Sequence, residues 1–280
     1  MTNPSSGIEF WLQSLGEKEI PVMRQTVRAI AEARKRADRI SSREIAVIVM
    51  HDPLMTARLL RFILRRRSKR QLQEISTVES AVLMLGVEPF FHHFAHFDVI
   101  DEQLKLHPPA LLGLLHVIRR AQRACRYAWD WALWRSDLGY EEIAVAALLH
   151  DLAEMLMWCF APRQMQDIHA LQKANPSIRS ADAQKAVLGF PLVELQAALC
   201  KSWQLPELLL GLMDGRQAGS VRVRNVKLAV DLARRSADGW DEAALQDDFR
   251  AIEALMNIDH KTLRLRLGLK DENPSAQKSS

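Results

Sequence analysis

Aromatic residues are scarce in this 280-residue chain, at 6%, and only two are tyrosine. Alternating runs of Val, Thr and aromatic side chains, the material of a half-buried strand, are correspondingly rare. A β-sandwich or barrel is thereby excluded. Cysteine is nearly absent too: Cys125, Cys159 and Cys200 are odd in number and lack the paired spacing of a zinc site. With no leader-like segment in the opening MTNPSSGIEF, they are expected to be buried thiols in a reducing cytoplasm. No uninterrupted apolar run reaches the roughly 18 residues that a bilayer span needs, so no membrane partner is expected. Neither a glycine-rich phosphate loop nor an internal repeat is present. Charge of one sign is not in large excess. Against 38 Lys and Arg stand 34 Asp and Glu, a net +4 that is too small to argue for nucleic acid by itself.

What is abundant is Ala, Leu, Arg, Glu and Gln, which favour helices. Hydrophobic residues reach 48%, enough for a sizeable core. From Trp11 onward nearly every segment shows helical spacing. Val22, Val27, Ile30 and Ala33 line one side of a helix within residues 20–37. Ser41-Ser42-Arg43-Glu44 offers an N-cap with an acid in the first turn. Asp52-Pro53 offers a cap followed by a first-turn proline, and Ser76-Thr77-Val78-Glu79 opens a helix that stops at Gly86. Another begins near Glu88-Pro89. Pro108-Pro109 marks an internal seam before a long helix from Leu111 to Trp134, ended by Leu138-Gly139-Tyr140. Glu141-Glu142 starts a helix that carries His150-Asp151. Further helices fit residues 163–173, 180–188, 192–203, 206–213, 221–236 and 241–256. The fold class is all-α.

The stretch IAVAALLHDLAEML, residues 143–156, sets His150 beside Asp151 in an apolar run. A carboxylate and an imidazole there are costly unless something binds or satisfies both. Such a pair is what a metal-dependent phosphohydrolase of the HD type uses as the centre of its ligand set.

Other segments extend the likeness. IVMHDPLMTARLLRF (48–62) is similar to the "DP-x-L-x-x-x-LL" helix of the HD-related output domain (HDOD) family. ISTVESAVLMLGVE (75–88) resembles that family's "I-x-x-A-I-x-x-LG" segment. LLHDLAEML (148–156) precedes LCKSWQLPELL (199–209), which matches a late "W-x-LP" element. The resemblance covers roughly residues 20–265. It implies an N-terminal helical bundle packed on a degenerate HD-like lobe, and a signalling or output module that usually lacks a full catalytic set.

By the same resemblance, a working HD site needs an upstream His, the His-Asp pair and a late Asp, holding one or two divalent ions that activate water. His150 and Asp151 are present, and Asp231 in NVKLAVDLARR falls where the late Asp would. The upstream His is missing. Registering the long helix against the Leu138-Gly139 turn puts its place near Arg120 or Ala121, and His116 lies one turn earlier, about 6 Å along the axis. A guanidinium at Arg120 repels a cation but can pair with Asp151 or Asp231. Gly189-Phe190-Pro191-Leu192 and Met213-Asp214-Gly215 also depart from the Asp-His and His pairs of related sequences. The expectation is a metal-free relic at Arg120, His150, Asp151 and Asp231, with no cofactor.

Three further groups compete for a function. His92, His93 and His96 put 92 and 96 one turn apart, as in zincin helices. No Glu intervenes, and packing histidines are expected; Asp98 and Asp101 are further ligands only if the helix ends there. A basic run, Arg58, Arg61, Arg65, Arg66, Arg67, Lys69 and Arg70, places six arginines and a lysine within 13 residues. It reads either as a site for an anion or acidic partner or as a solvated face whose stems cover apolar surface. The lack of interleaved aromatics disfavours nucleic acid. Trp129, Trp131 and Trp134 form the last group. Residues 131 and 134 share a face, and core packing is favoured over a partner anchor.

The expected organisation is an N-terminal lobe at 8–107, a degenerate HD-like lobe at 109–236, a helical cap at 241–268 and a disordered tail at 270–280. The expected function is a non-catalytic, cytoplasmic, bacterial regulatory module that binds another signalling protein or an anionic ligand. The alternative is an HD-type phosphohydrolase of nucleotides or cyclic dinucleotides, using His150, Asp151 and Asp231.

Overall fold

The computed structural model describes residues 7–66, 75–214, 219–237 and 239–269, so Arg67, Lys69, Arg70 and the 270–280 tail lie outside the described residues. Among those described, every element is helical; one isolated parallel bridge joins Val22 to Val99. The N-terminal half comprises α1 (Ile8–Glu17), α2 (Arg24–Arg34), α3 (Ser42–Met50), α4 (Pro53–Arg65), α5 (Val78–Leu85), α6 (Val87–His93) and the single turn α7 (Ile100–Gln103).

Local signals place these starts. Ser41 caps α3 through a capping box: its Oγ accepts from the Glu44 N–H, and the Glu44 carboxylate accepts from the Ser41 N–H at 2.9 Å. Asp52 caps α4, accepting the Leu54 and Met55 N–H groups on Oδ1, while Pro53 occupies the first turn. Its Oδ2 accepts from the Met23 N–H at 2.8 Å and the Thr26 hydroxyl at 2.9 Å. One fully buried carboxylate thus fixes α2 against α4; burial pushes its pKa up, against those four donors. Thr77 caps α5, and Gly86, at φ 87°, ends it in a conformation open to glycine.

The second half is built on the 27-residue α8 (Pro108–Trp134), followed by α9 (Tyr140–Leu149), α10 (Leu152–Phe160), α11 (Pro162–Ala174), α12 (Ser180–Leu188), α13 (Leu192–Ser202), α14 (Glu207–Met213) and α15 (Val221–Arg235). α8 packs along α9, α10 and α15. The cap is α16 (Glu242–Met256) and α17 (His260–Arg266). It is tied to the end of α8 by Trp134, whose indole N–H donates to Met256 O, and by Arg135, which donates to Leu255 O.

Four expectations need correction. The long helix starts three residues before Leu111: Pro108, Pro109 and Ala110 form the first turn of α8, where a missing N–H costs nothing. His150 and Asp151 do not sit within one helix, because the chain breaks there between α9 and α10. Tyr140–Phe160 is, at 21 residues, long and apolar enough to cross a membrane, although 78% of its apolar stretch is buried inside the protein. Counting only uninterrupted runs misses it, since the isolated acids and His150 break the run without lowering the average much. Finally, Trp131 is buried against Tyr127, whereas Trp134 is 45% exposed beneath the Arg266 guanidinium, so the two do not share one environment.

The buried apolar core runs without interruption from Trp11 to Leu263. α4 contacts α8, α9 and α10, and α1 packs on α13, so helices early in the chain pack directly on those of its second half.

Candidate functional site

The break between α9 and α10 puts a partly exposed polar pair between two largely buried apolar helices. Breaking a helix orphans backbone groups. Gln196, on α13, satisfies two of them: its Oε1 accepts from the Ala153 N–H at 2.7 Å and its Nε2 donates to Leu149 O at 2.9 Å. Asp151 stands at the N-cap of α10 but does not cap it, because its carboxylate is turned elsewhere. Oδ1 lies 2.8 Å from His150 Nδ1 and 3.2 Å from Arg234 Nη2; Oδ2 accepts from Arg120 Nη2 at 2.7 Å. The same Arg120 nitrogen donates to Glu154 Oε2, also at 2.7 Å.

The cluster is therefore two carboxylates, two guanidiniums and an imidazole. Asp151 is only 13% exposed at its side chain. Burial would raise its pKa, but the His150 hydrogen bond and charge, together with Arg120 and Arg234, hold it well below the usual carboxylate range. Burial opposes the Arg120 charge, yet Glu154 and Asp151 outweigh it and push that pKa up. Both groups stay ionised at neutral pH.

The donor set does not fit a divalent ion. Carboxylate oxygens bind such an ion at about 2.0–2.2 Å, and here a single guanidinium nitrogen occupies the point between Asp151 and Glu154. Among the described residues no group of three or more His, Cys, Asp or Glu is arranged to hold a metal. His116 faces outward on α8 and does not join the cluster.

Sequence reasoning pairs Arg120 with Asp151 or Asp231, and the structure brings it to Asp151. It misses Glu154 and Arg234. Asp231 does not join the cluster: it pairs with Lys227 at 2.5 Å, one turn back on α15, while Arg234 three residues on reaches Asp151. Helical spacing holds the signal in both cases, since Glu154 follows Asp151 by three and Arg234 follows Asp231 by three.

The zincin-like spacing of His92 and His96 is not realised, because α6 ends at His93 and Phe94 leaves helical geometry. His93 instead packs on Phe62, with ring centroids 4.8 Å apart.

Of the basic run, Arg58 and Arg61 are turned into the protein while Arg65 and Arg66 stay exposed; Arg67, Lys69 and Arg70 lie outside the described residues. Arg61 is 4% exposed and donates to Leu15 O and Lys18 O, and Arg65 donates to Gly16 O. Arg58 donates to Ile20 O and His96 O and pairs with Glu19 at 3.2 Å. The Arg61 and Arg65 contacts satisfy the last carbonyls of α1 and oppose the negative end of its dipole. The guanidiniums of Arg58, Arg61, Arg65 and Arg66 nevertheless converge on a cleft of about 420 Å³.

A larger cleft, about 600 Å³, is not foreshadowed by the sequence. It lies where α3 and α5 face α8 and α9, with Val47, Met50, Cys125 and Trp129 among its apolar walls and Arg43, Arg126, Glu79 and Glu141 among its polar lining. Gln122 donates to His51 O across it at 2.6 Å. Cys125 is inert there, its thiol pushed up to about 12 by burial.

The fold is all-α, with a His-Asp pair at a helix break and a guanidinium between its Asp and a neighbouring Glu. The HDOD domain model matches residues 20–217, most of the chain, and this chain belongs to that family. Two solved structures share the fold. The MmoQ response regulator of Methylococcus capsulatus superposes with a TM-score of 0.68 at 18% identity, over 91% of this chain and 99% of that one. A virulence factor of Campylobacter jejuni superposes with a TM-score of 0.66 at 18% identity, over 95% and 93%. No curated protein matches the chain.

Proposed function

We propose that this chain is a non-catalytic regulatory module of the HDOD type that acts in the cytoplasm by binding another signalling protein or a small ligand. The observation that carries the reading is Arg120 Nη2, 2.7 Å from both Asp151 and Glu154. Two guanidiniums supply the positive charge that a metal would otherwise bring, and they do so without a coordinated water to activate. All three thiols are unpaired, with Cys159 and Cys200 buried and Cys125 partly so, which is compatible with a reducing compartment. A 600 Å³ cleft where α3 and α5 face α8 and α9 suits a binding role. The relation of MmoQ to response regulation supports the signalling part of the reading by analogy of fold alone.

The test is elemental analysis of the purified chain together with a phosphodiesterase assay on cyclic dinucleotides in added Mn²⁺. The expected result is no stoichiometric metal and no cleavage. A bound Mn, Fe or Zn ion lost on His150→Ala, with turnover lost in parallel, would overturn it.

A further inference from the structure

The second cleft has a chemistry that neither the family nor the proposed function assigns. It lies between the segment after α1, the carboxyl-terminal half of α4, and α6. Four guanidiniums line it, with His93 and the rings of Phe62 and Phe94, and one carboxylate, Glu19, stands on its rim. The arginines are immobilised from behind. Arg61 and Arg65 are held by the terminal carbonyls of α1 and Arg58 by Ile20 O, so their geometry is set before any ligand arrives. Each guanidinium has five N–H donors, more than these contacts use. Arg66 stands over Phe62, its Cζ 3.8 Å from the ring centroid, and has no carboxylate partner among the described residues.

The charges oppose one another. Burial first, and then Arg65 beside it, lower the Arg61 pKa to about 10, against the pull of Glu19. Desolvation against its neighbours, then the charges of Arg66 and His92, lower that of His93, although its side chain is exposed. An anion placed among these groups relieves that repulsion. We propose that this cleft binds a small ligand carrying adjacent phosphoryl groups, gripped by the exposed guanidiniums of Arg65 and Arg66 over a wall kept positive by the anchored Arg58 and Arg61. Guanidinium forks match phosphate oxygens bidentately. About 420 Å³ is more than one phosphate needs and falls in the range of small-ligand pockets. Phe62 is already covered by Arg66 and His93, so recognition rests on the phosphoryl groups and not on base stacking. The inference stands whether or not the His-Asp cluster is catalytic, since the two sites share no residue.

Calorimetric titration of the full chain with pyrophosphate, ADP and inorganic phosphate at low salt tests it. Pyrophosphate and ADP should bind once per chain, both more tightly than phosphate, and more weakly as salt rises. Arg66→Gln, which breaks no hydrogen bond among the described residues, should weaken pyrophosphate by about tenfold. Glu19→Gln, which removes the opposing carboxylate from an exposed position, should tighten it several-fold, and Arg43→Gln at the other cleft should change nothing. No heat with pyrophosphate, phosphate binding as tightly as pyrophosphate, or equal affinity in Arg66→Gln and Glu19→Gln would each overturn the assignment. Preference for a poly-glutamate peptide over pyrophosphate would overturn it in favour of an acidic protein partner.

Discussion

The His-Asp cluster and the arginine-lined cleft use the same side chain to opposite ends. In the cluster, Arg120 bridges Asp151 and Glu154, the half-exposed Arg234 reaches Asp151 from outside, and the charges close on themselves. In the cleft, four arginines meet one rim carboxylate and a set of backbone carbonyls, which hold them in place but do not neutralise them. A guanidinium is always charged, so what differs is the acceptor and not the donor. A carboxylate completes the pair; a carbonyl leaves most of the charge available to whatever comes from outside.

The contrast is broken most directly by removing an acceptor from the closed cluster. Asp151→Ala leaves two guanidiniums and His150 in a largely buried site, and should cost about 3–5 kcal/mol in urea unfolding. The acid dependence follows from the same group. Asp151 titrates far lower in the fold than the roughly 3.9 of an unfolded chain. Its contribution is complete above that value and is lost as pH falls below it. Asp151→Asn should flatten this acid limb of the stability curve; an unchanged limb would mean that other carboxylates dominate.

Arg61→Ala comes next. It strips two carbonyls at the end of α1 and a guanidinium 5.1 Å over Trp203, a loss expected at about 2–3 kcal/mol. Gln196→Ala, which unpairs Leu149 O and the Ala153 N–H, should cost about 1–2 kcal/mol by the same measurement. Arg66→Gln gives up a contact with the Phe62 ring and should leave stability within about 0.5 kcal/mol. Equal losses for Arg61→Ala and Arg66→Gln would erase the distinction between anchoring and ligand-facing arginines. Smallest is Asp231→Ala. Its partner Lys227 is exposed, and an i,i+4 surface pair contributes about 0.3–0.5 kcal/mol, fading with salt.

Much of this was legible in the sequence. Ser41, Asp52 and Thr77 announce their helices because a cap is a local contract between neighbours in the chain. The substitution at Arg120 was legible too, because a long helix fixes its own register. The break at His150-Asp151 was not, since neither glycine nor proline marks it and the amide that supports it comes from Gln196, 43 residues beyond Ala153. The role of the basic run was equally hidden. Arg61 looks like any solvated arginine until the end of α1, 46 residues earlier, is laid against it. Long-range partners leave no trace in local periodicity.

The arginine clasp on α1 bears on how the protein opens. Amino-terminal helices ordinarily fray, and their amides exchange with solvent at almost no free-energy cost. Here the last turn of α1 is bonded to guanidiniums rooted in α4, and its apolar side, with Trp11 and Leu15, rests on α13. The first helix is thereby enrolled in the same cooperative unit as the centre of the molecule. Its amides should exchange only when that centre opens, and protease should find this end of the chain as slow to yield as α4 itself.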